Sequence, residues 1–153
     1  MRKITPFLWF DNQAEEATNF YVSVFKNSRV GSITCYGDAG PGPRGSVMSV
    51  SFELDGQPFM ALNGGPLFHF TEAISMFVNC EGQQEVDELW EKLSAGGEKG
   101  RCGWLKDKYG LSWQIVPSGL MDALNHKDPQ KASRAMQAML KMDKIDIERI
   151  RNV

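Results

Sequence analysis

The chain has 153 residues, of which 42% are hydrophobic and 24% are charged, and its net charge is −2. This length suits one domain or two half-domains that share a core, and the composition is ordinary for a globular protein. The charge argues against a nucleic-acid-binding surface, which usually carries a clustered excess of Lys and Arg. No apolar run approaches the roughly 20 residues that a membrane-spanning helix needs.

Cysteine usage and the start of the chain indicate the compartment. The three cysteines, Cys35, Cys80 and Cys102, include no CxxC pair, so their spacing predicts neither a zinc site nor a disulfide framework. Free thiols are typical of the reducing cytoplasm. The first residues lack the long apolar segment of a signal peptide. We therefore expect a cytoplasmic protein.

The first part of the chain, residues 3–66, predicts a strand, a helix and three further strands. Apolar residues at three- and four-residue spacing from Ala14 to Phe25 predict an amphipathic helix. The predicted strands are Ile4–Phe10, Arg29–Tyr36, Val47–Leu54 and Gln57–Leu62, and the turn Asp55-Gly56 joins the last two. The stretch from Gly37 to Gly45, rich in Gly and Pro, is either a mobile lid or a plain hairpin connection.

Residues 72–117 repeat the plan of residues 3–66 with different side chains. A strand at Ser75–Val78 leads into a helix at Gln83–Ser94, which ends before Gly96-Gly97. The aromatic or apolar pairs Phe20-Tyr21 and Leu89-Trp90 fall at the same distance from their strands. The remaining predicted strands are Gly103–Lys106 and Leu111–Val116.

We therefore predict an α+β fold in a single domain of residues 1–153. Its two βαβββ modules form curved mixed sheets. Two copies are needed because a module that cannot bury its own sheet face must pack on another copy. We expect a concave cup between the modules, where a small molecule would bind.

A helical tail, residues 118–153, follows the second module. Asp128-Pro129 predicts a helix start, and the apolar residues of the helix are Ala132, Ala135, Met136, Met139 and Leu140. Asp143 is expected to open a final helix that carries Ile145, Ile147 and Ile150. This apolar tail must pack on its own sheet or on a second subunit. We favour the second subunit and hence a homodimer. Lys127, Lys131 and Arg134 are interpreted as a solvated helix face.

Four stretches of this sequence resemble a known group of proteins. They are Pro6–Tyr21, Ala61–Pro66, Phe70–Ser75 and Gly103–Pro117. They are similar to the vicinal oxygen chelate superfamily, which includes glyoxalase I and the bleomycin- and fosfomycin-resistance proteins. The closer similarity is to its PhnB-like branch, labelled 3-demethylubiquinone-9 3-methyltransferase. The resemblance runs from about Ile4 to about Met142.

The resemblance implies where a metal ion would bind in this superfamily. Its metal-using members hold a divalent ion with His and Glu side chains from the first and last strands of each module. Here neither first strand contains His, Asp or Glu, and the end-strand positions are Met60 and Gln114. A thioether and a neutral amide are poor ligands for a hard cation. We therefore expect no metal site and no cofactor.

Six residues remain as candidates for a site. His69, in the linker between the modules, is either a general base or a hydrogen-bonded linker histidine. Gln114 is expected to point into the cup, and Asn63 lies in a stretch that carries the resemblance. Trp9, Trp104 and Trp113 either line the cup as aromatic walls or belong to the core. By contrast, we interpret His126 as a surface residue, and Glu53 and Asp107 as solvated carboxylates.

Two functions follow from this sequence. One is a metal-independent protein that binds a small-molecule ligand in the manner of the bleomycin-resistance proteins. The other is an enzyme that acts on a small, partly apolar substrate with His69 and Gln114. The residues argue against methyl transfer, because the Gly37–Gly45 stretch leads into a strand rather than into the helix start that binds a nucleotide-like cofactor.

Overall fold

Each half of the chain forms a four-stranded mixed sheet with one helix packed on it. The computed structural model describes residues 2–153 and divides into two units, Met1–Phe70 and Thr71–Val153. The first unit holds the first βαβββ module. The second unit holds the second module and the helical tail. The predicted α+β fold is confirmed.

In the first unit the strand order is β1-β4-β3-β2, with β1 parallel to β4 and the other neighbours antiparallel. Its elements are β1 (Phe7–Phe10), α1 (Ala14–Val24), β2 (Arg29–Cys35), β3 (Val47–Leu54) and β4 (Gln57–Asn63). The stripe of α1 that the spacing predicted is buried at Ala14, Ala17 and Tyr21. Burial of such apolar side chains, at about 25 cal/mol per Å², holds the helix on the sheet.

The second unit repeats this topology, with the strand order β5-β8-β7-β6 and β5 parallel to β8. Its sheet and covering helix are β5 (Met76–Cys80), α2 (Gln83–Ser94), β6 (Glu98–Lys99), β7 (Trp104–Lys106) and β8 (Ser112–Pro117). Trp90 of α2 is buried, as is Tyr21 at the corresponding place in α1. The internal repeat therefore extends from the sequence to the packing of both helices.

Strands β1 and β6 differ most from the sequence prediction. Strand β1 begins at Phe7 rather than at Ile4, whose side chain is 83% exposed. Strand β6 has only two residues, Glu98 and Lys99, and both are exposed, so no apolar alternation could reveal it. The Gly37–Gly45 stretch is a non-helical connection between the antiparallel neighbours β2 and β3.

The tail contains α3 (Leu120–Leu124), α4 (Pro129–Leu140) and α5 (Ile147–Arg151). Asp128 caps α4 by accepting a hydrogen bond from the backbone N–H of Gln130, and Pro129 follows it, as predicted. The predicted start of the last helix at Asp143 is wrong. Asp146 caps α5 instead, through the backbone N–H of Arg149.

The tail packs on its own unit. Its buried side chains form a cluster with the end of strand β8: Val116, Leu120, Ala135, Ile145, Ile147 and Ile150. The three isoleucines that favoured a second subunit are thus covered by their own chain, which was the other alternative. The large apolar side chains that the tail leaves exposed are Met121, Met136, Leu140 and Val153.

Candidate functional site

The face of the second sheet that points away from α2 carries a row of three candidate side chains. Neighbouring residues in register share a face of a sheet. Gln114 on β8 pairs with Trp104 on β7 and with Phe77 on β5. Gln114 and Trp104 are half-buried, and Phe77 is 54% exposed. An amide between two aromatic rings can bind a flat, partly apolar molecule that offers one hydrogen-bonding group.

Polar groups adjoin this row. The side-chain amide of Gln114 donates a hydrogen bond of 2.9 Å to Ser75 Oγ. Ser112, two residues before Gln114 on the same face, is 1% exposed, and its hydroxyl has no hydrogen-bond partner among residues 2–153. A buried hydroxyl without a partner carries a free-energy cost.

An ion pair lies beside Ser112. Lys106 pairs in register with Ser112, and its ammonium group contacts the carboxylate of Glu72. The hydrogen bond from Lys106 lowers the pKa of Glu72, and the same bond raises the pKa of Lys106. Both side chains are partly exposed, so the pair adds fixed charge to the rim of this face rather than much stability.

The corresponding row of the first sheet consists of Phe7, Met60 and Ser51. Phe7 pairs with Met60 as Phe77 pairs with Gln114, and Ser51 pairs with Met60 as Trp104 pairs with Gln114. The two end-strand positions that the resemblance identified are therefore equivalent in register. They offer only a thioether and an amide, which do not fit a divalent cation. Within residues 2–153, no three His, Cys, Asp or Glu side chains lie close enough to hold a metal.

Trp9 and Asn63 have partners within the first unit. Trp9 donates a hydrogen bond from Nε1 to the carbonyl of Gly65 at 2.9 Å, and its ring meets Phe68 edge-on at 4.9 Å. Asn63 accepts a hydrogen bond from the N–H of Ala14 at 2.8 Å. Its amide group donates to a backbone carbonyl at the start of β3. Asn63 therefore ties the start of α1 to the sheet.

Trp113 does not lie on the candidate face. It is 2% exposed and packs on the α2 side, so the aromatic-wall interpretation is wrong for this residue and the core interpretation holds. Its Nε1 donates a hydrogen bond of 2.9 Å to Asp107 Oδ2. Asp107 was expected to be solvated but is also 2% exposed. Its carboxylate accepts hydrogen bonds from two backbone N–H groups and thereby organises the turn before β8.

The two histidines are exposed, and so is Arg29, which pairs with Glu53. His69 lies in the loop between β4 and β5 and makes no hydrogen bond with the part of the chain that the structure describes. His126 accepts a hydrogen bond from the N–H of Asp128, which fits a surface position before α4.

Arg29 lowers the pKa of Glu53 through a two-point ion pair.

Sequence reasoning missed Phe77, Ser112 and the Lys106–Glu72 pair. For Phe77 and Ser112, a signal was present in the strand alternation. Residues that lie two apart from Gln114, or opposite it in register, share its face. The Lys106–Glu72 pair carried no such signal, since the two residues are separated by 34 positions and only the fold brings them together.

Comparison with known proteins decides the family. The family described as 3-demethylubiquinone-9 3-methyltransferase matches residues 2–116. The chain belongs to this family. A PhnB protein from Bacillus cereus is 41% identical, with a TM-score of 0.71, over 76% of this chain and 100% of that chain. The family match agrees with the resemblance of the sequence to the PhnB-like branch.

Two further solved structures share the fold of this family member. Protein PA1353 from Pseudomonas aeruginosa is 20% identical, with a TM-score of 0.64, over 76% of this chain and 98% of that chain. The fosfomycin-resistance protein FosX from Listeria monocytogenes, complexed with Mn(II) and sulfate, is 16% identical, with a TM-score of 0.55, over 82% of this chain and 98% of that chain. No curated protein matches the chain. None of the helices within residues 2–153 has the length and apolar character needed to span a bilayer.

Proposed function

We propose that this family member binds a small, partly apolar molecule without a metal ion, on the face of the second sheet that carries Phe77, Gln114 and Trp104. One observation supports this above all: the register position equivalent to the superfamily's carboxylate ligand is Gln114, flanked by two aromatic side chains. The aromatic rings bind a flat apolar surface, and the amide reads one carbonyl or hydroxyl.

Native mass spectrometry of protein freshly purified from its host tests this proposal. We expect a co-purifying organic mass and no stoichiometric Zn, Ni, Mn or Fe. The Gln114→Leu variant should lose the organic mass, because Leu has the size of Gln but no polar group. Gln84→Leu, on the exposed side of α2, is the matched control and should keep it. A bound metal in the wild-type protein, or equal ligand retention in Gln114→Leu, would refute the proposal.

The alternative is an enzyme with His69 as a general base. The exposure of His69 and its lack of a hydrogen-bond partner among the described residues leave its imidazole available to a substrate. Once the co-purifying molecule is known, His69→Ala separates the two functions. A variant that keeps the affinity for the molecule but abolishes its conversion supports the enzyme. A protein that binds the molecule and never converts it supports the binding function.

We also propose that the protein is a cytoplasmic homodimer. The support is the set of large apolar side chains left exposed on the chain, including Leu67, Phe68 and Ile74 at 73%, 58% and 57%. Exposed apolar surface of this kind marks interaction sites. The three cysteines are free thiols, which suits a reducing compartment. The native mass gives the oligomeric state directly, and a monomer at micromolar concentration would contradict this proposal.

A further inference from the structure

A cavity of about 470 Å³ lies at one end of the first sheet. We call it the end cavity. It is bounded by the turn between β1 and α1, the first turn of α1, the start of β3 and the residues that follow β4. Its lining includes Asp11, Glu15, Tyr36, Pro41, Asn63 and Gly65. This volume falls within the range of ligand sites in proteins.

The Gly37–Gly45 stretch forms one wall of the end cavity and is fixed to the sheet by Tyr36. The hydroxyl of Tyr36 donates a hydrogen bond of 2.6 Å to the carbonyl of Asn63, and the residue is 6% exposed. Gly40 and Gly42 lie so close to the ring of Tyr36 that a side chain at either position would overlap it. The wall is therefore built by specific contacts of Tyr36 rather than by a loosely placed loop.

The equivalent end of the second sheet holds a segment of the chain itself. Residues 142–147 of the tail cross the end of the sheet beside the start of α2. Their carbonyls at Met142 and Asp143 accept hydrogen bonds from the N–H groups of Cys102 and Gly103, which precede β7. Gln83, the first residue of α2, donates to the carbonyl of Ile145 at 2.9 Å and accepts from the N–H of Ile147 at 3.0 Å.

A basic residue accompanies the apolar ones in that segment. Lys144 forms an ion pair of 2.9 Å with Asp87 in α2, and the adjoining Ile145 is 1% exposed. The end cavity offers the matching charge, since Asp11 and Glu15 line it and neither Lys nor Arg does. Both carboxylates are exposed and have no ion-pair partner among residues 2–153.

We propose that the end cavity binds an extended segment of a partner protein in which a basic residue precedes alternating apolar residues, as in Lys144-Ile145-Asp146-Ile147. The basic residue pairs with Asp11 and Glu15, and an apolar residue lies against Tyr36 and Pro41. Because the two modules share one topology, the end that the tail covers in the second module is the end that stays open in the first. This proposal is independent of the ligand on the second sheet.

The test uses the full-length protein labelled with ¹⁵N and the peptide acetyl-Lys-Ile-Gly-Ile-amide. We expect chemical-shift changes at the backbone amides of Gly42, Gly64 and Gly65, which line the cavity. The double variant Asp11→Asn/Glu15→Gln should bind the peptide about five-fold or more weakly, the loss expected for partly exposed charge pairs. Glu16→Gln, the same change one residue further along α1, is the matched control and should bind as the wild type does.

Three results would overturn the proposal. The first is that the charge-reversed peptide acetyl-Glu-Ile-Gly-Ile-amide causes chemical-shift changes as large as those of the Lys peptide. Charge would then play no part in binding. The second is equal binding by Nα-acetyl-lysine methylamide alone, which would make the cavity a site for small amines. The third is a set of shifts confined to other surfaces, or none at millimolar peptide. The amide spectrum of the double variant checks that it is folded. Tyr36→Ala is a second variant, which removes the wall without changing the charge of the cavity.

Discussion

At the scale of single residues, the clearest feature of this protein is a buried carboxylate that no apolar pattern could reveal. Asp107 accepts hydrogen bonds from the N–H groups of Tyr109 and Leu111 at 2.8 and 3.1 Å, and from Trp113 Nε1 at 2.9 Å. A carboxylate that satisfies three donors is stable in the interior, because each bond offsets part of the cost of removing the charge from water. Asp107 thereby fixes the turn that leads into β8 and its Gln114.

We expect Asp107→Ala to destabilise the protein by about 3 kcal/mol, since it leaves two backbone N–H groups and an indole N–H without an acceptor. Urea denaturation followed by tryptophan fluorescence measures this loss. Asp122→Ala, at an exposed position of α3, should change the stability by less than about 0.5 kcal/mol. A loss below about 1 kcal/mol for Asp107→Ala would show that Asp107 does not hold the turn.

The cysteines should differ sharply in reactivity. Burial raises the pKa of the Cys80 thiol to about 12, and Cys35 lies exposed on β2. Because only the thiolate reacts, Cys80 should remain unmodified by an aromatic disulfide reagent at about pH 8 until denaturant is added. Cys35→Ser/Cys102→Ser, which removes the exposed and the half-buried thiol, should abolish the reaction of the native protein. Fast modification of Cys80 in that variant would contradict the burial of its thiol.

At the scale of elements, the tail depends on one glutamine at the start of α2. Gln83 binds the tail backbone on both sides of Asp146, through Ile145 and Ile147, and also donates to Asp87 at 3.0 Å. A neutral side chain that uses both its donor and its acceptor on backbone groups holds a segment in one register. The tail therefore docks by specific hydrogen bonds in addition to its apolar cluster.

Gln83→Leu should loosen the tail without unfolding the sheet. We expect the amide of Ile147 to exchange its hydrogen about ten-fold faster, because the loss of one hydrogen bond of about 1 kcal/mol is compounded by burial of an unpaired carbonyl. Hydrogen-exchange mass spectrometry of the peptide that spans 142–151 makes the measurement. Gln84→Leu serves as the control one residue away. Unchanged exchange in Gln83→Leu would show that the apolar cluster alone holds the tail.

Acid should also loosen the tail, through Asp87. Its hydrogen bond with Lys144, and then that with Gln83, lowers the pKa of Asp87 below the ordinary value of 3.8. A carboxyl whose pKa is lower in the folded state contributes stability above the unfolded value, and this contribution is lost as the pH falls through the folded value. Tail exchange, corrected for the intrinsic rate, should therefore rise below 3.8 in the wild type. Asp87→Asn should remove this dependence, and its persistence in that variant would assign it to another carboxyl.

At the scale of the whole molecule, the tail is the part that the family does not account for. The family match ends at residue 116, and the PhnB relative from Bacillus cereus is covered completely by 76% of this chain. Yet Val116 belongs to the same apolar cluster as Ile145 and Ile150. The added segment has therefore been built into the core of the second unit.

We expect this added segment to unfold together with the second module. Ile150→Ala should cost about 3 kcal/mol, because it removes a side chain that is 1% exposed from a closed cluster. In a Trp9→Phe background, the remaining tryptophans all lie in the second unit, so their fluorescence reports its unfolding. Met136→Ala, at a side chain that is 40% exposed, should cost less than about 1 kcal/mol. A tail that melts in a separate, earlier transition would contradict the joint core.

The sequence by itself determined the repeated βαβββ plan and the two amphipathic helices, whereas the pairing of Met60 with Gln114 as end-strand positions came from the family resemblance. The plan and the helices rest on apolar periodicity and on turn residues such as Asp55-Gly56, which act over short distances in the chain. It also set the start of α4 at Asp128, since a helix cap is a local hydrogen bond.

Only the tertiary structure decided which face each tryptophan joins, that Asp107 is buried and that the tail covers its own sheet. The physical reason is that burial depends on partners far away in sequence. Trp104 and Trp113 have the same chemistry. The strand register places Trp104 on the face that carries Gln114 and Trp113 on the face towards α2. The isoleucines of the tail require apolar partners. Val116 and Leu120 of the same chain provide them, so the burial of these isoleucines needs no second subunit.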